Sequence, residues 1–548
     1  MKYIFVTGGV ISGLGKGTTA ASLGRLLVSR GYRVTAIKID PYLNTDAGTM
    51  NPFEHGEVFV MDDGGEVDLD LGTYERFLDT NLSSDHNITT GKIYFRVISK
   101  ERKGAYLGKT VQIIPHVTNE IKREISRVAN ASGTDIALVE LGGTVGDIES
   151  MPFLEAVRQM KMDLGAAGTE GQSCLFIHTT LIPEVGAVGE QKTKPTQHSV
   201  KELRAIGIDP DIIVARAERE IDPDIKEKIS LFCNVPVEAV ISAPNIESTY
   251  GIPMLLDEQK LADYVLNKFS LPAGKPDLKE WNDFYRRLMN PKYSVDVAIV
   301  GKYTELADAY ISHIEAFRHT TAETSCRVNT KFIESEEIEK HGAEKILSGT
   351  DAILVPGGFG HRGIEGKISA AGYARESNKP YLGVCLGFQC AVIEYARNVL
   401  CLNGANSSEF NPDTQYPVID LLPEQKTVSD KGGTMRLGAH KILVDKGSIA
   451  YSLYGEEEIY ERHRHRYEVN PEMIPDFTSK GLLFSGKSED GRRMEIAELK
   501  GADYFIGSQF HPEFKSRPGR PSPLHLGLVR AAMKQKYTLS RPAAQLLS

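Results

Sequence analysis

The sequence predicts an α/β protein with two successive parallel-sheet domains, and three observations carry that expectation. Short β-branched runs at 3–7, 33–39, 135–140, 173–178, 212–215 and 237–241 alternate with longer amphipathic or polar stretches, which is the rhythm of βαβ units. A glycine-rich loop, Thr7-Gly8-Gly9-Val10-Ile11-Ser12-Gly13-Leu14-Gly15-Lys16-Gly17-Thr18-Thr19, stands between the first of these runs and an Ala/Leu-rich helix. Between 269 and 291 the rhythm lapses into Leu271-Pro272-Ala273-Gly274-Lys275-Pro276-Asp277 and a helix-like stretch holding the only tryptophan, Trp281. A fresh strand, Val295-Asp296-Val297-Ala298-Ile299-Val300-Gly301, then opens a second α/β domain. The expected boundaries are 1–270, a linker at 271–294, and 295–548, with a helix and a loose end after about Pro518.

At 548 residues, 41% hydrophobic and 25% charged, the chain has room for two or three cores. A formal charge of −9 argues against bulk electrostatic binding to nucleic acid or anionic membranes, so negative ligands must be held in local basic pockets. Cysteines at 174, 233, 326, 385, 390 and 401 have neither a framework spacing nor a CxxC pair, which indicates neither disulfide staples nor a zinc site and fits a reducing cytoplasm. The N-terminus enters a β-type segment directly, and no run of about 18 apolar residues occurs; neither a signal peptide nor a membrane span is expected.

Chemistry is concentrated first around Cys385, in Gly383-Val384-Cys385-Leu386-Gly387-Phe388-Gln389. A thiol on a sharp strand-to-helix turn gains from the helix N-terminus, which favours the thiolate, and from free backbone N–H groups able to hold an oxyanion. Pro356-Gly357-Gly358-Phe359-Gly360, after the apolar run 352–355, is a second glycine turn at a strand end. His511-Pro512-Glu513 follows a strand-like stretch at 504–510; were the segment extended, residues i and i+2 would share a face, so that Glu513 orients the imidazole while His511 meets the sulfur. With all three motifs in order, this part resembles the class I (triad) glutamine amidotransferase domain. The resemblance implies that Cys385 attacks the glutamine side-chain amide, with His511 and Glu513 as its partners and water clearing the thioester. It also implies an oxyanion hole from Leu386 and the Gly357/Gly358 turn, and a glutamine pocket from Gly358, Leu386, Gly387, Phe388, Gln389, Glu409 and Arg466. Arg466 closes the run Arg462-His463-Arg464-His465-Arg466-Tyr467, which on composition alone is a solvated basic surface.

The second centre is the N-terminal glycine loop, whose N–H groups and helix dipole suit phosphate, with Lys16 as a point charge. It departs from a strict Walker A: the first glycine is expected where Val10 stands, and Gly17 replaces the Ser or Thr after the lysine. Magnesium would then need carboxylates. The candidates are Asp70, in Asp68-Leu69-Asp70-Leu71-Gly72, and Glu140, at the end of the run 136–139, with Lys38 and Asp40 as auxiliary contacts.

Three further segments narrow the acceptor: Gly48-Thr49-Met50-Asn51-Pro52-Phe53-Glu54-His55-Gly56-Glu57, Gly142-Gly143-Thr144-Val145-Gly146-Asp147-Ile148-Glu149-Ser150 and Lys192-Thr193-Lys194-Pro195-Thr196-Gln197-His198-Ser199. With the glycine loop and the Asp70 segment, they resemble the CTP synthase family over essentially the whole chain. The resemblance implies a dethiobiotin-synthetase-like P-loop domain joined to the amidotransferase domain, and the ATP-dependent amination of UTP to CTP through a 4-phosphorylated UTP, with ammonia drawn from glutamine. ATP would lie on Gly13, Leu14, Gly15, Lys16, Gly17, Thr18 and Asp70, with Ile246 bordering adenine and magnesium at Asp70 and Glu140. UTP or product CTP would meet Ser12, Asp147, Ile148, Glu149, Lys192, Thr193, Lys194, Pro195, Thr196, Gln197 and Lys228. GTP would act as an activator sensed by Arg362 and Glu365, CTP as a feedback inhibitor, and the protein as a homotetramer, with filament formation left open. The stretch 183–190 and a small insertion at 165–171 depart from the family pattern. Two alternatives stand beside this reading: an amidase of the cobyric-acid type, against which the 142–150 and 192–199 segments speak, and a P-loop switch or filament protein with a dead glutaminase domain, against which Cys385, His511 and Glu513 speak.

Overall fold

The computed structural model describes residues 1–51, 55–166, 172–186, 189–302, 306–358, 360–421 and 435–538. Parts of the motifs at 48–57 and 356–360, of the insertion at 165–171 and of the 183–190 stretch, together with the tail from 539, lie outside the described residues. The chain divides into two compact units, Met1–Ala47 with Asp70–Asn282, and Gly48–Leu69 with Asp283–Ser548.

In the first unit β1 (Lys2–Gly8), β2 (Val34–Asp40), β3 (Asn87–Thr89), β4 (Ile136–Leu141), β5 (Cys174–Leu181), β6 (Ile212–Ala217) and β7 (Val240–Pro244) form one sheet in the order β7-β6-β5-β1-β4-β2-β3. Every neighbouring pair is parallel. Parallel strands need both faces covered, and alternation along β1 serves both. Tyr3 and Phe5 join Ile37, Val139 and Phe176 in one core layer with helices Thr118–Ala131 and Met151–Ala166. On the opposite face α1 (Lys16–Val28) brings Gly24 close to Leu138 of β4 and to Leu78 of α2 (Asp70–Leu78). The last strand begins later than the sequence indicated, because Val237–Ala239 forms a 3-10 turn. The edge strand β3 is only three residues long, too short for a periodic signal.

The stretch expected as a linker contains helix α3 (Lys279–Met289), and the division between units falls inside it. Trp281 belongs to the first unit: its indole N–H donates to the Tyr250 carbonyl at 2.9 Å, its ring packs on Phe77, and the Arg25 guanidinium lies over it.

The second unit contains β8 (Tyr293–Gly301), β9 (Cys326–Glu334), β10 (Ala352–Val355), β11 (Tyr381–Val384), β12 (Arg436–Val444), β13 (Glu458–His465), β14 (Leu482–Ser488), β15 (Met494–Leu499) and β16 (Phe505–Ser508), ordered β9-β8-β10-β11-β16-β15-β14-β12-β13. The run β9 to β16 is parallel and the remainder antiparallel. Residues 48–69, expected in the N-terminal domain, group with this unit. The reason is a set of buried polar contacts with β13. Fully buried Arg462 donates to Asp62 Oδ1 at 2.5 Å and to the Val60 carbonyl at 3.0 Å, and its guanidinium lies over Phe59. Arg464 donates to Glu66 Oε1 at 2.7 Å and to the Gly48 carbonyl at 3.2 Å.

Candidate functional site

Cys385 stands between β11 and α4 (Leu386–Asn398) with φ 51° and ψ −102°. A non-glycine residue in that region is strained, as in the strand-to-helix elbows that expose a nucleophile. Neighbouring β16 sets the register, since the Cys385 N–H donates to the Ser508 carbonyl at 2.7 Å. The chain leaving β16 therefore reaches the same sheet edge three residues later, at His511. His511 Nδ1 lies 2.7 Å from Glu513 Oε1, while Nε2 has no hydrogen-bond partner among the described residues. A Cβ built on Gly357 would come within 2.8 Å of His511 Cε1 and 3.6 Å of Cys385 Cβ; the imidazole and the thiol thus flank one glycine, where a larger residue would collide with the ring.

The route by which His511 and Glu513 meet differs from the extended alternation expected. His511 starts a 3-10 turn over Pro512–Lys515, so the two side chains converge through a turn with proline at its start. Both are buried. Burial by itself would lower the His511 pKa, but Glu513 and Cys385 raise it to about 10. Burial works the opposite way on Glu513 and is outweighed by His313 and His511, leaving its pKa at about 2. The pair is an imidazolium beside a carboxylate, poised to accompany a thiolate.

Leu386 opens α4, so its N–H is among those that a helix cannot satisfy internally. It faces the Gly357–Gly358 turn after β10: a Cβ on Gly358 would lie 3.6 Å from both Leu386 Cδ2 and Lys367 Nζ. Lys367 is fully buried, bonds the Pro356 carbonyl at 3.4 Å, and is lowered to about 8 by burial. A cavity of about 420 Å³ is lined by Cys385, Gly358, Leu386, Gln389, Glu409 and Arg466. A Glu and an Arg there suit the amino and carboxylate ends of an amino acid. Two expected members do not line it: Phe388 is fully buried against Gly507, and Gly387 lies against the Val355 backbone. An adjoining cavity of about 520 Å³ shares Cys385 and includes Gly48, Thr49, Lys302, His313 and His511. The sequence groups Gly48–Asn51 with the acceptor segments; only the long-range pairing of 48–69 brings it here. Arg362 and Glu365 are not paired with one another: Arg362 lies 3.7 Å from Glu336 and Glu365 2.7 Å from Arg397.

In the first unit the glycine loop follows β1 at the C-terminal edge of the sheet. Val10 has φ 78°, the region that favours glycine, so the backbone keeps the turn of a phosphate loop without that residue. Lys16 donates to the Gly143 carbonyl at 2.8 Å, and burial lowers its pKa. Lys38 Nζ lies between Asp70, which it bonds, and Glu140 at 3.0 Å, with Asp40 at 3.9 Å. A Cβ on Gly17 would meet Asp70 Oδ1 at 2.8 Å and Glu140 Oε2 at 3.1 Å; the missing side chain after Lys16 makes room for two carboxylates. Burial raises the pKa of Glu140 and of Asp40. These hard oxygen donors fit magnesium, which is usually held by one or two carboxylates plus phosphate and water. Among the described residues no group of three or more His, Cys, Asp or Glu could hold a metal ion by itself.

The remaining expected nucleotide contacts are unequal. Ser12, Ile148, Glu149, Lys194, Lys228 and Ile246 are exposed, and Pro195 begins helix Lys194–Ala205. Asp147 already accepts two bonds at 2.6 Å from Thr144 of its own loop. Lys192 pairs with Glu190 at 2.6 Å, and both Lys192 and Lys228 depress the Glu190 pKa. Gln197 bonds Thr193. Thr193 and Thr196 are both buried, and Thr196 donates to the Leu181 carbonyl at 3.1 Å. Ser199 is turned inward too, 2.7 Å from His178, whose other nitrogen meets Thr7 of β1 at 2.9 Å.

Fold and site define a class I glutamine amidotransferase unit carried in one chain with a parallel-sheet, phosphate-loop unit. Residues 305–531 match the family described as glutamine amidotransferase class-I, and residues 2–271 match CTP synthase N-terminus. The CTP synthases of Thermococcus kodakarensis and Methanocaldococcus jannaschii are each 58% identical to this chain, covering 98% of it and 99% of their own length. A Trypanosoma brucei CTPS glutaminase domain with bound acivicin is 40% identical, covering 44% of this chain and 95% of its own, at a TM-score of 0.42. The chain belongs to the CTP synthase family. Among the described residues, no helix is long and apolar enough to cross a membrane.

Proposed function

We propose that this chain converts UTP to CTP, using ATP and ammonia released from glutamine, and that it works as a cytoplasmic enzyme. The observation that carries the reading is the Cys385, His511 and Glu513 constellation beside a Glu409/Arg466 cavity, in the same chain as the Lys16 loop. The His511 imidazolium supports the Cys385 thiolate, which adds to the glutamine amide carbon. The developing oxyanion is met by the N–H groups of Leu386 and the Gly357–Gly358 turn. His511 then passes its proton to the departing ammonia, and takes one from the water that releases glutamate from the thioester.

In the other unit Gly13, Leu14, Gly15, Lys16, Gly17 and Thr18 cradle the ATP phosphates, and Ile246 borders the base. Lys16 neutralises charge on the transferred phosphoryl group, whose chemistry depends chiefly on positioning. Magnesium, held by Asp70 and Glu140, would supply further positive charge to those phosphates. Ser12, Lys192, Thr193, Lys194, Gln197 and Lys228 bind UTP, with Pro195 and Thr196 shaping the helix start. Asp147, Ile148 and Glu149 meet CTP as a feedback inhibitor. Arg362 and Glu365 sense GTP as an activator, and the assembly is a homotetramer. The test is incubation of purified protein with UTP, ATP, magnesium and glutamine, with nucleotides separated by chromatography and UTP omitted in a parallel reaction. CTP formed together with ADP is expected. Glutamine hydrolysis without CTP under any nucleotide combination would remove UTP as the acceptor and leave only the glutaminase.

A further inference from the structure

Glu513 has a second neighbour besides His511. The same oxygen, Oε1, lies 3.4 Å from His313 Nε2, and the other oxygen has no hydrogen-bond partner among the described residues. His313 stands on helix Ile311–Thr324 and His525 on helix Pro523–Thr538. Their rings face each other with Nδ1 of His313 3.0 Å from Nε2 of His525, and Nδ1 of His525 is 2.8 Å from Ser522 Oγ. All four residues are buried, at 2% exposure for Glu513, 3% for His313, 0% for His525 and 2% for Ser522.

The chemistry of the atoms orders this row. A carboxylate only accepts, and a bare Nε2 would turn its lone pair toward that oxygen at 3.4 Å, so His313 carries its hydrogen on Nε2. In a neutral ring Nδ1 must then accept, which places the hydrogen of His525 on Nε2, and Nδ1 of His525 in turn accepts from the Ser522 hydroxyl. Every donor in the row therefore points toward Glu513. Burial lowers the pKa of His313 and brings that of His525 to about 3. We infer that His313, held by His525 and Ser522, is a positioning residue that fixes the Glu513 carboxylate with Oε1 toward His511. The inference rests on the glutaminase reading above and extends the triad by a row of groups from two helices. Without His313, the carboxylate keeps its hydrogen bond with His511 but loses the polar contact that opposes its rotation away from the imidazole.

The test compares full-length wild type with His313→Leu and His313→Gln, the latter keeping an N–H donor near the original position. Glutamine hydrolysis and ammonia-dependent CTP formation are measured in each. We expect kcat for glutamine hydrolysis to fall roughly tenfold in His313→Leu, the upper scale of one neutral polar contact, with KM for glutamine unchanged, and to recover for the most part in His313→Gln. Ammonia-dependent synthesis should be equal in all three. Equal hydrolysis in wild type and His313→Leu, equal losses in both variants, or a loss carried by KM would overturn the inference. If His313→Leu does not fold, His313→Asn replaces it, since its donor is too short to reach Glu513; equal rates for Asn and Gln would overturn the inference in the same way. Failure of the wild type itself to hydrolyse glutamine would instead bring down the glutaminase reading on which it rests.

Discussion

Residue by residue, the functional side chains are held where ordinary preferences are violated. Cys385 has a positive φ, and this strain is sustained because its N–H is bonded into β16 and its carbonyl accepts from Gln389 at 3.1 Å. Cys385→Ala should abolish CTP formation from glutamine while sparing formation from added ammonia, because the phosphate-loop unit has its own chemistry; loss of both in a nucleotide assay would sink the two-centre reading. Gly357→Ala is a sharper probe of geometry. Its methyl group would stand 2.8 Å from His511 Cε1, and moving the ring by about 1 Å should cost roughly 100-fold in glutaminase kcat. Wild-type hydrolysis by that variant would show that the ring is free to yield. These residue types were legible beforehand. The nucleophile, its base and the carboxylate each carry a local motif, whereas His313, Lys302 and Lys367 carry none, because a lone buried His or Lys within a helix or strand pattern gives no local signal.

Among the elements, the turn Pro512–Lys515 matters more than the strand before it. It places an imidazole and a carboxylate two residues apart in contact, and their altered pKa values make stability depend on pH. Glu513, brought from 4.5 to about 2, contributes fully above pH 4.5 and loses that contribution as pH falls toward 2. His511, raised from 6.5 to about 10, contributes fully below pH 6.5 and loses it as pH rises toward 10. The difference in urea-unfolding free energy between wild type and Glu513→Gln should therefore be widest between pH 4.5 and 6.5 and narrow on both sides. A constant difference from pH 3 to 9 would rule out the ion pair. The strands themselves were largely readable from β-branched runs. The miss at 237–239 came from a 3-10 turn whose Val-Glu-Ala sequence has no turn residue, and the 511–513 contact was expected for the wrong backbone.

At the scale of the whole molecule, the second unit is discontinuous in sequence. Arg462 has no exposed side-chain surface and makes its contacts with Asp62, Val60 and Phe59, some 400 residues away along the chain. Arg462→Ala leaves the Val60 carbonyl without that donor and removes a cation from an aromatic face, and should cost about 2–4 kcal/mol in unfolding free energy. A change below about 0.5 kcal/mol in a denaturant titration would mean that the 48–69 segment is not anchored by this residue. The same segment brings Gly48 and Thr49 to the Cys385 cavity, so weakened anchoring should lower glutaminase activity as well.

Sequence by itself determined the α/β class, the two glycine turns, the cysteine elbow, the His511 and Glu513 pair, and the carboxylates near the phosphate loop. Each is written in neighbouring residues, as strand periodicity, turn chemistry or a charged residue at a strand end. Only the tertiary structure decided that residues 48–69 join the second unit, that Phe388 and Thr196 face inward, and that His313 and His525 stand behind the triad. Those facts depend on which distant side chains meet once the sheets close, and on the rule that buried charges and polar groups must find partners.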